Sequence, residues 1–96
     1  MLFVATCIDK PQGLPKRKEN RPAHLDYLNG LGARVKIAGA LLAPDQETPI
    51  GSMLILEGEN EDEIQALLAK DPYTLADLFE RVEVRPWRQA VGQPLT

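Results

Sequence analysis

The chain has a single histidine, His24, and its chemistry turns on whether a second side chain can fix where its proton sits. An imidazole gains and loses a proton near neutral pH, so a histidine whose tautomer is held by a partner can act as a general base and then as a general acid. Asp71 is the candidate partner. Each residue also has a structural reading. His24 can fill a core edge with its ring nitrogens satisfied locally, and Asp71, directly before Pro72, has the form of a helix cap whose carboxylate accepts from a first-turn amide. Cys7 sits in a continuous apolar run and reads as a small buried hydrophobe rather than a nucleophile; as the only cysteine it forms no internal disulfide. One histidine and one cysteine are too few soft ligands for a structural zinc site, and no glycine-rich phosphate loop, serine elbow or metal motif is present. The expectation is chemistry without a metal or cofactor.

The elements that must position these groups follow from periodicity. From Asn20 to Leu31, His24, Tyr27, Leu28 and Leu31 recur at helical spacing and share one face, which turns His24 toward the core. This first helix starts either at Asn20, with Pro22 tolerated in the first turn, or as early as Pro15 with a bend at Pro22; Gly30 and Gly32 end it. Leu2 to Ile8 is an apolar strand closed by the turn formers Asp9 to Gly13. Arg34 to Leu41 is a strand with one polar face, Ala43 to Pro49 a polar hairpin connection, and Ile50 to Glu57 a third strand, again apolar on both faces. Acids at Glu59 to Glu63 open a second helix with a buried stripe at Ile64, Leu67 and Leu68. A last strand runs from about Leu78 to Trp87, and the tail Gln89 to Thr96 is patternless and peripheral.

The order strand, helix, strand, strand, helix, strand is that of a ferredoxin-like α+β sheet, whose first and third strands are central. Helices cover only one face of such a sheet, yet both central strands are apolar on both sides. A second copy of the chain, packed face to face across a two-fold axis, is the expected cover, so a homodimer is predicted. Ninety-six residues make a single domain, 1–96, burying only roughly 60 to 65 % of its unfolded surface, and 44 % hydrophobic with 26 % charged residues is an ordinary globular balance. A net charge of −3 with no basic face argues against nucleic acid. With no apolar run long enough to span a bilayer and no signal-peptide pattern, a cytoplasmic location without membrane association is expected.

Several features together resemble the YciI-like (YCII-related) family of small dimeric α+β barrel proteins: Arg21-Pro22-Ala23-His24-Leu25, Gly39-Ala40, Gly51-Ser52, Asp71-Pro72-Tyr73 and the terminal Arg85-Pro86-Trp87. The resemblance spans nearly the whole chain, with Pro22 inside the helix and the tail after Trp87 departing from the family pattern. It implies an active-site pair formed by His24 and Asp71, with the carboxylate orienting the imidazole. Arg21, one turn before His24, is then placed to meet an anionic substrate, and Ser52 and Tyr73 to donate hydrogen bonds to a developing oxyanion. Most members of the family have no established reaction, and one relative is associated with removing chloride from a hydroxylated aromatic ring. Two functions are therefore expected to compete. One is a small lyase, isomerase or hydrolase working by proton transfer on a small aromatic or anionic molecule. The other is a non-catalytic ligand-binding or accessory module using the same pocket.

Overall fold

The structure is a computed structural model that describes residues 1–95; Thr96, the last residue of the expected tail, lies outside the described residues. Its strands are β1 (Leu2–Asp9), β2 (Val35–Leu42), β3 (Pro49–Glu57) and β4 (Phe79–Trp87), and its helices α1 (Leu14–Gly30), α2 (Glu61–Ala69) and α3 (Pro72–Leu75). The strands form one antiparallel sheet in the order β2-β3-β1-β4, so β1 and β3 are central, as the ferredoxin-like α+β reading expects.

Side chains alternate across a strand, so the register assigns each residue to a face. Phe3, Ala5 and Cys7 pair with Leu56, Leu54 and Ser52 across the centre of the sheet. These point to the helices, where the apolar members join Leu28, Ile64 and Leu68 in the core. The opposite set, including Val4, Thr6, Ile8, Met53 and Ile55, faces away from the helices and continues onto Ile37 of β2, which is 45 % exposed. The two-sided apolar character of β1 and β3 is thus real, and no described helix lies on the second face. The edge strand β4 carries Arg81, Glu83 and Arg85 on that face and tolerates Pro86 because an edge has one side without a ladder. Gly51 is required by close approach: a Cβ there would run into the Cys7 carbonyl oxygen.

The helices are fixed by specific contacts rather than by propensity. Of the two possible starts for α1, the structure takes the earlier one, with Gly13 as the cap and Pro15 in the first turn. Asn20 is therefore not a cap; it lies mid-helix and donates through its side chain to the Lys16 carbonyl. Pro22 interrupts the backbone ladder inside the helix, a change that costs about 3 kcal/mol in a free helix. Tertiary anchors hold α1 together across it, among them the Tyr27 hydroxyl, which donates to the Leu67 carbonyl of α2 at 2.7 Å. In α2, the Asn60 side chain accepts from the Glu63 amide while the Glu63 carboxylate accepts from the Glu59 amide, both at 2.9 Å, a reciprocal cap. The tail folds over the Gln89 side chain, which donates to the Val91 carbonyl and accepts from the Leu95 amide. No described helix is long and apolar enough to cross a membrane.

Cys7 is only 1 % exposed, and burial, followed by the nearby Asp71 charge, pushes its thiol up to about 12. A buried neutral thiol is a poor nucleophile, so native Cys7 should resist alkylation that rapidly labels the unfolded chain. The folded value lies above the reference value of 9.0, so the contribution to stability is complete below pH 9 and is lost as pH rises toward 12. Cys7→Ala should remove that alkaline slope and cost about 1 kcal/mol by chemical denaturation, without affecting ligand binding.

Candidate active site

The inward face of α1 is polar. Arg17, Arg21, His24 and Leu28 follow one another at spacings of three and four, and of these Arg17, His24 and Leu28 are buried. Such a face is stable only if the partners beneath it answer the charges. His24, 7 % exposed, donates from Nδ1 to both oxygens of Asp71, at 2.8 Å to Oδ1 and 2.9 Å to Oδ2. An ionised carboxylate has only acceptors, so this contact places the hydrogen of the neutral ring on Nδ1 and leaves Nε2 with its lone pair.

Asp71 is held from the other side by the start of α3. Its Oδ1 accepts from the Tyr73 amide at 2.9 Å, and Pro72 occupies the first helical position. The cap and the imidazole partner, alternatives in the sequence, are the same carboxylate performing both tasks. Capping turns α3 so that the Tyr73 ring stacks on His24, with centroids 3.9 Å apart and planes 15° from parallel. Phe79 backs the tyrosine edge-on at 6.0 Å. Burial raises the Tyr73 phenol above its ordinary range, with the charges of Arg17 and Arg21 acting in the opposite direction, so it remains a neutral donor.

A second carboxylate lies under the same helix. Asp9, at the end of β1, accepts from Arg17 through both oxygens, from Nε at 2.7 Å and from Nη2 at 2.9 Å. The same Nη2 donates to Ser52 Oγ at 2.9 Å, and the guanidinium carbon lies 4.6 Å from the Tyr73 ring centre, a cation–π contact. Burial, the largest single influence on the Arg17 guanidinium, pulls its pKa down; the Asp9 carboxylate more than reverses this and leaves it raised. Asp9 and Arg17 were missed from sequence, where Asp9 reads as a turn former and Arg17 is given no role. The available signal was that Arg17 lies two helical turns before His24 on the same face, visible once α1 is extended back past Pro15.

These groups surround a cavity of about 160 Å³ between α1 and the β2–β3 half of the sheet, lined by Arg17, Arg21, His24, Ser52 and Tyr73, with Ala38 to Ala40 on its β2 side. Four of the five residues singled out from sequence thus line one cavity, and the fifth, Asp71, stands behind His24. His24 Nε2 makes no hydrogen bond among the described residues and is not sealed from solvent, so it opens on the cavity. Arg21 is exposed at the rim and has no ion-pair partner among the described residues. A larger groove of about 670 Å³ between Met1, Trp87 and the tail contains neither a histidine nor a carboxylate, so chemistry rather than size selects the smaller cavity. Among the described residues no cluster of three or more histidine, cysteine or acidic side chains is placed to hold a metal.

The double duty of Asp71 separates two substitutions. Asp71→Ala removes both the cap and the partner of a buried imidazole and should cost about 2 to 4 kcal/mol in urea denaturation. Asp71→Asn retains an oxygen for the Tyr73 amide and should cost roughly half as much; equal losses would mean that the cap contributes nothing.

The family described as YCII-related domain matches residues 1–88. Protein YciI of Escherichia coli O6:H1 (strain CFT073) is 38 % identical over 96 residues, covering 93 % of this chain and 98 % of its own. Among solved structures, a 5-chloro-2-hydroxyhydroquinone dehydrochlorinase from Burkholderia phenoliruptrix AC1100, in complex with 2,5-dihydroxybenzoquinone, superposes with a TM-score of 0.85 at 35 % identity, covering 94 % of this chain and 96 % of that one. SnoaB, a cofactor-independent oxygenase from Streptomyces nogalater, shares the fold alone, at 10 % identity and a TM-score of 0.57 over 96 % of each chain. With the family matched over nearly its full length, the chain belongs to the YCII-related family.

Proposed function

We propose that this protein is a small-molecule enzyme in which His24 exchanges protons with a bound single-ring substrate and Asp71 orients it. The observation that carries this reading is the division of the imidazole: Nδ1 is clamped by a carboxylate, while Nε2 opens on the cavity. Nε2 takes a proton from an acidic O–H or C–H of the substrate. The negative charge that develops meets Arg21 at the rim and the hydroxyls of Ser52 and Tyr73. Return of the proton to another atom completes an isomerisation; departure of a leaving group completes an elimination. A cavity of about 150 Å³ holds a benzene-sized molecule, which fits a single ring here. Similarity to a dehydrochlorinase whose structure contains a dihydroxybenzoquinone supports a hydroxylated or quinonoid ring as the substrate class.

The test is chloride release from 5-chloro-2-hydroxyhydroquinone and related chlorinated hydroxyarenes. His24→Ala should lower turnover by about 10² to 10⁴-fold while the ligand still binds. Saturable binding without turnover in the wild type would instead identify a binding module.

The unpartnered sheet face supports a homodimer. Val4, Ile8, Met53 and Ile37 form a partly exposed apolar surface that no described helix covers, and a second copy would bury it by packing sheet on sheet. Sedimentation at micromolar concentration should give twice the chain mass, and Ile37→Asp should shift it to the monomer mass. A wild-type monomer would overturn the assembly.

A further inference from the structure

The segment after Arg88 lies beyond the family match, which stops at residue 88, yet it has a defined shape. Its centre is the Gln89 side chain: Nε2 donates to the carbonyls of Val91 and Gln93, Oε1 accepts from the Leu95 amide, and Gly92 turns the chain at a φ of +99°. The loop so formed walls the groove of about 670 Å³ together with Met1, Leu2 and Trp87. Leu2 pairs in register with Trp87 and has the parity of Val4 and Ile8, so the groove opens on the sheet face that no described helix covers. The charges of β4 on that face end at Arg85, and Trp87 is the next residue on it, which joins the groove to the apolar surface of Val4, Met53 and Ile37. Trp87 is 37 % exposed, Met1 70 % and Val91 85 %. A loop held in shape by its own side-chain hydrogen bonds thus keeps apolar groups in water at the border of an uncovered apolar sheet, an arrangement that costs stability until something covers both.

Area decides what the cover is. The apolar strands β1, β2 and β3, of eight or nine residues each, offer a flat footprint of about 400 Å² before side-chain relief. A stable homodimer buries about 800 Å² or more per partner. The sheet face falls short of that by itself, and the groove and loop that adjoin it supply more apolar surface on the same side. We infer that residues 89–95 form a dimerisation lip: the loop shaped by Gln89 and the groove at Trp87 extend the sheet face, and a second copy of this chain packs against both. This rests on the homodimer reading above and adds to it a segment that the family match does not include. A two-fold axis applies the contact twice, so each copy brings its lip to the partner.

Trp87 is the only tryptophan of the chain, so its emission reports on the groove directly. The full chain is diluted from micromolar to nanomolar concentration while sedimentation and tryptophan emission are followed together. In the wild type the emission should move to longer wavelength as dimer gives way to monomer. Val91→Asp should raise the dimer dissociation constant by on the order of 10²-fold, because the lost valine burial counts twice across the two-fold axis. Val91 is already exposed within one copy, so this substitution leaves the fold of the protomer intact. Gln89→Ala should weaken the dimer by about tenfold although it removes no apolar side chain, because the loop then has to be ordered on association. The inference is overturned if the wild-type dimer dissociates with no change in Trp87 emission, or if either substitution leaves the dissociation constant unchanged; the dimer then stands on the sheet face alone and the groove is left to another occupant. A wild type that is monomeric at micromolar concentration overturns the homodimer reading itself, and the lip with it.

Discussion

A carboxylate buried at the junction of two helices has to be answered by donors, and Asp71 is answered twice, by the imidazole of α1 and by the backbone of α3. That one group couples local structure to chemistry. The cap fixes where α3 begins, and α3 presents the tyrosine that stacks on the histidine. Breaking a buried pair of this kind by removing one partner is strongly destabilising, while replacing both by apolar groups is often tolerated. The pair is therefore better understood as a device for position than as a source of stability. Asp9 and Arg17 repeat the arrangement under the same helix, which again supplies the donor.

The sheet supplies what the polar layer lacks. Phe3, Ala5, Leu54 and Leu56 give the helices an apolar floor, and Ser52 emerges from that same face of β3 at the point where the apolar residues give way to the cavity. The alternation that carries the core thus also carries the serine into the site. On the opposite face the same alternation produces an apolar surface, the basis for the proposed dimer.

Strands and topology were legible because their signal is local, a short apolar run bounded by turn formers, and does not depend on distant contacts: β1 and β3 begin and end within a residue of their sequence-derived limits. The inward placement of His24 was legible for the same reason, through Tyr27, Leu28 and Leu31 on its face. What periodicity could not supply was the pairing of His24 with Asp71, which are distant in sequence; that came from the family resemblance. The start of α1 was ambiguous because Gly13 caps it without a side chain and two prolines offered two openings. Arg17 and Asp9 were missed for a deeper reason. The buried face of α1 begins with Arg17 and His24, with the exposed Arg21 between them, so a search for an apolar stripe assigns the wrong residues to solvent. A charged residue on an inward helical face signals a buried counter-charge, and the acid ending the neighbouring strand was the available partner.

The central claim is that Asp71 fixes the His24 tautomer and leaves Nε2 as the acceptor facing the cavity. The most direct measurement is the ¹⁵N spectrum of the His24 imidazole, recorded on the alkaline side of its titration, where the ring is neutral, in the wild type and in Asp71→Asn. The account predicts a single dominant tautomer in the wild type, protonated at Nδ1 and bare at Nε2, and a mixed or reversed population in the variant. A wild-type ring protonated at Nε2, or identical spectra in the two proteins, would contradict it.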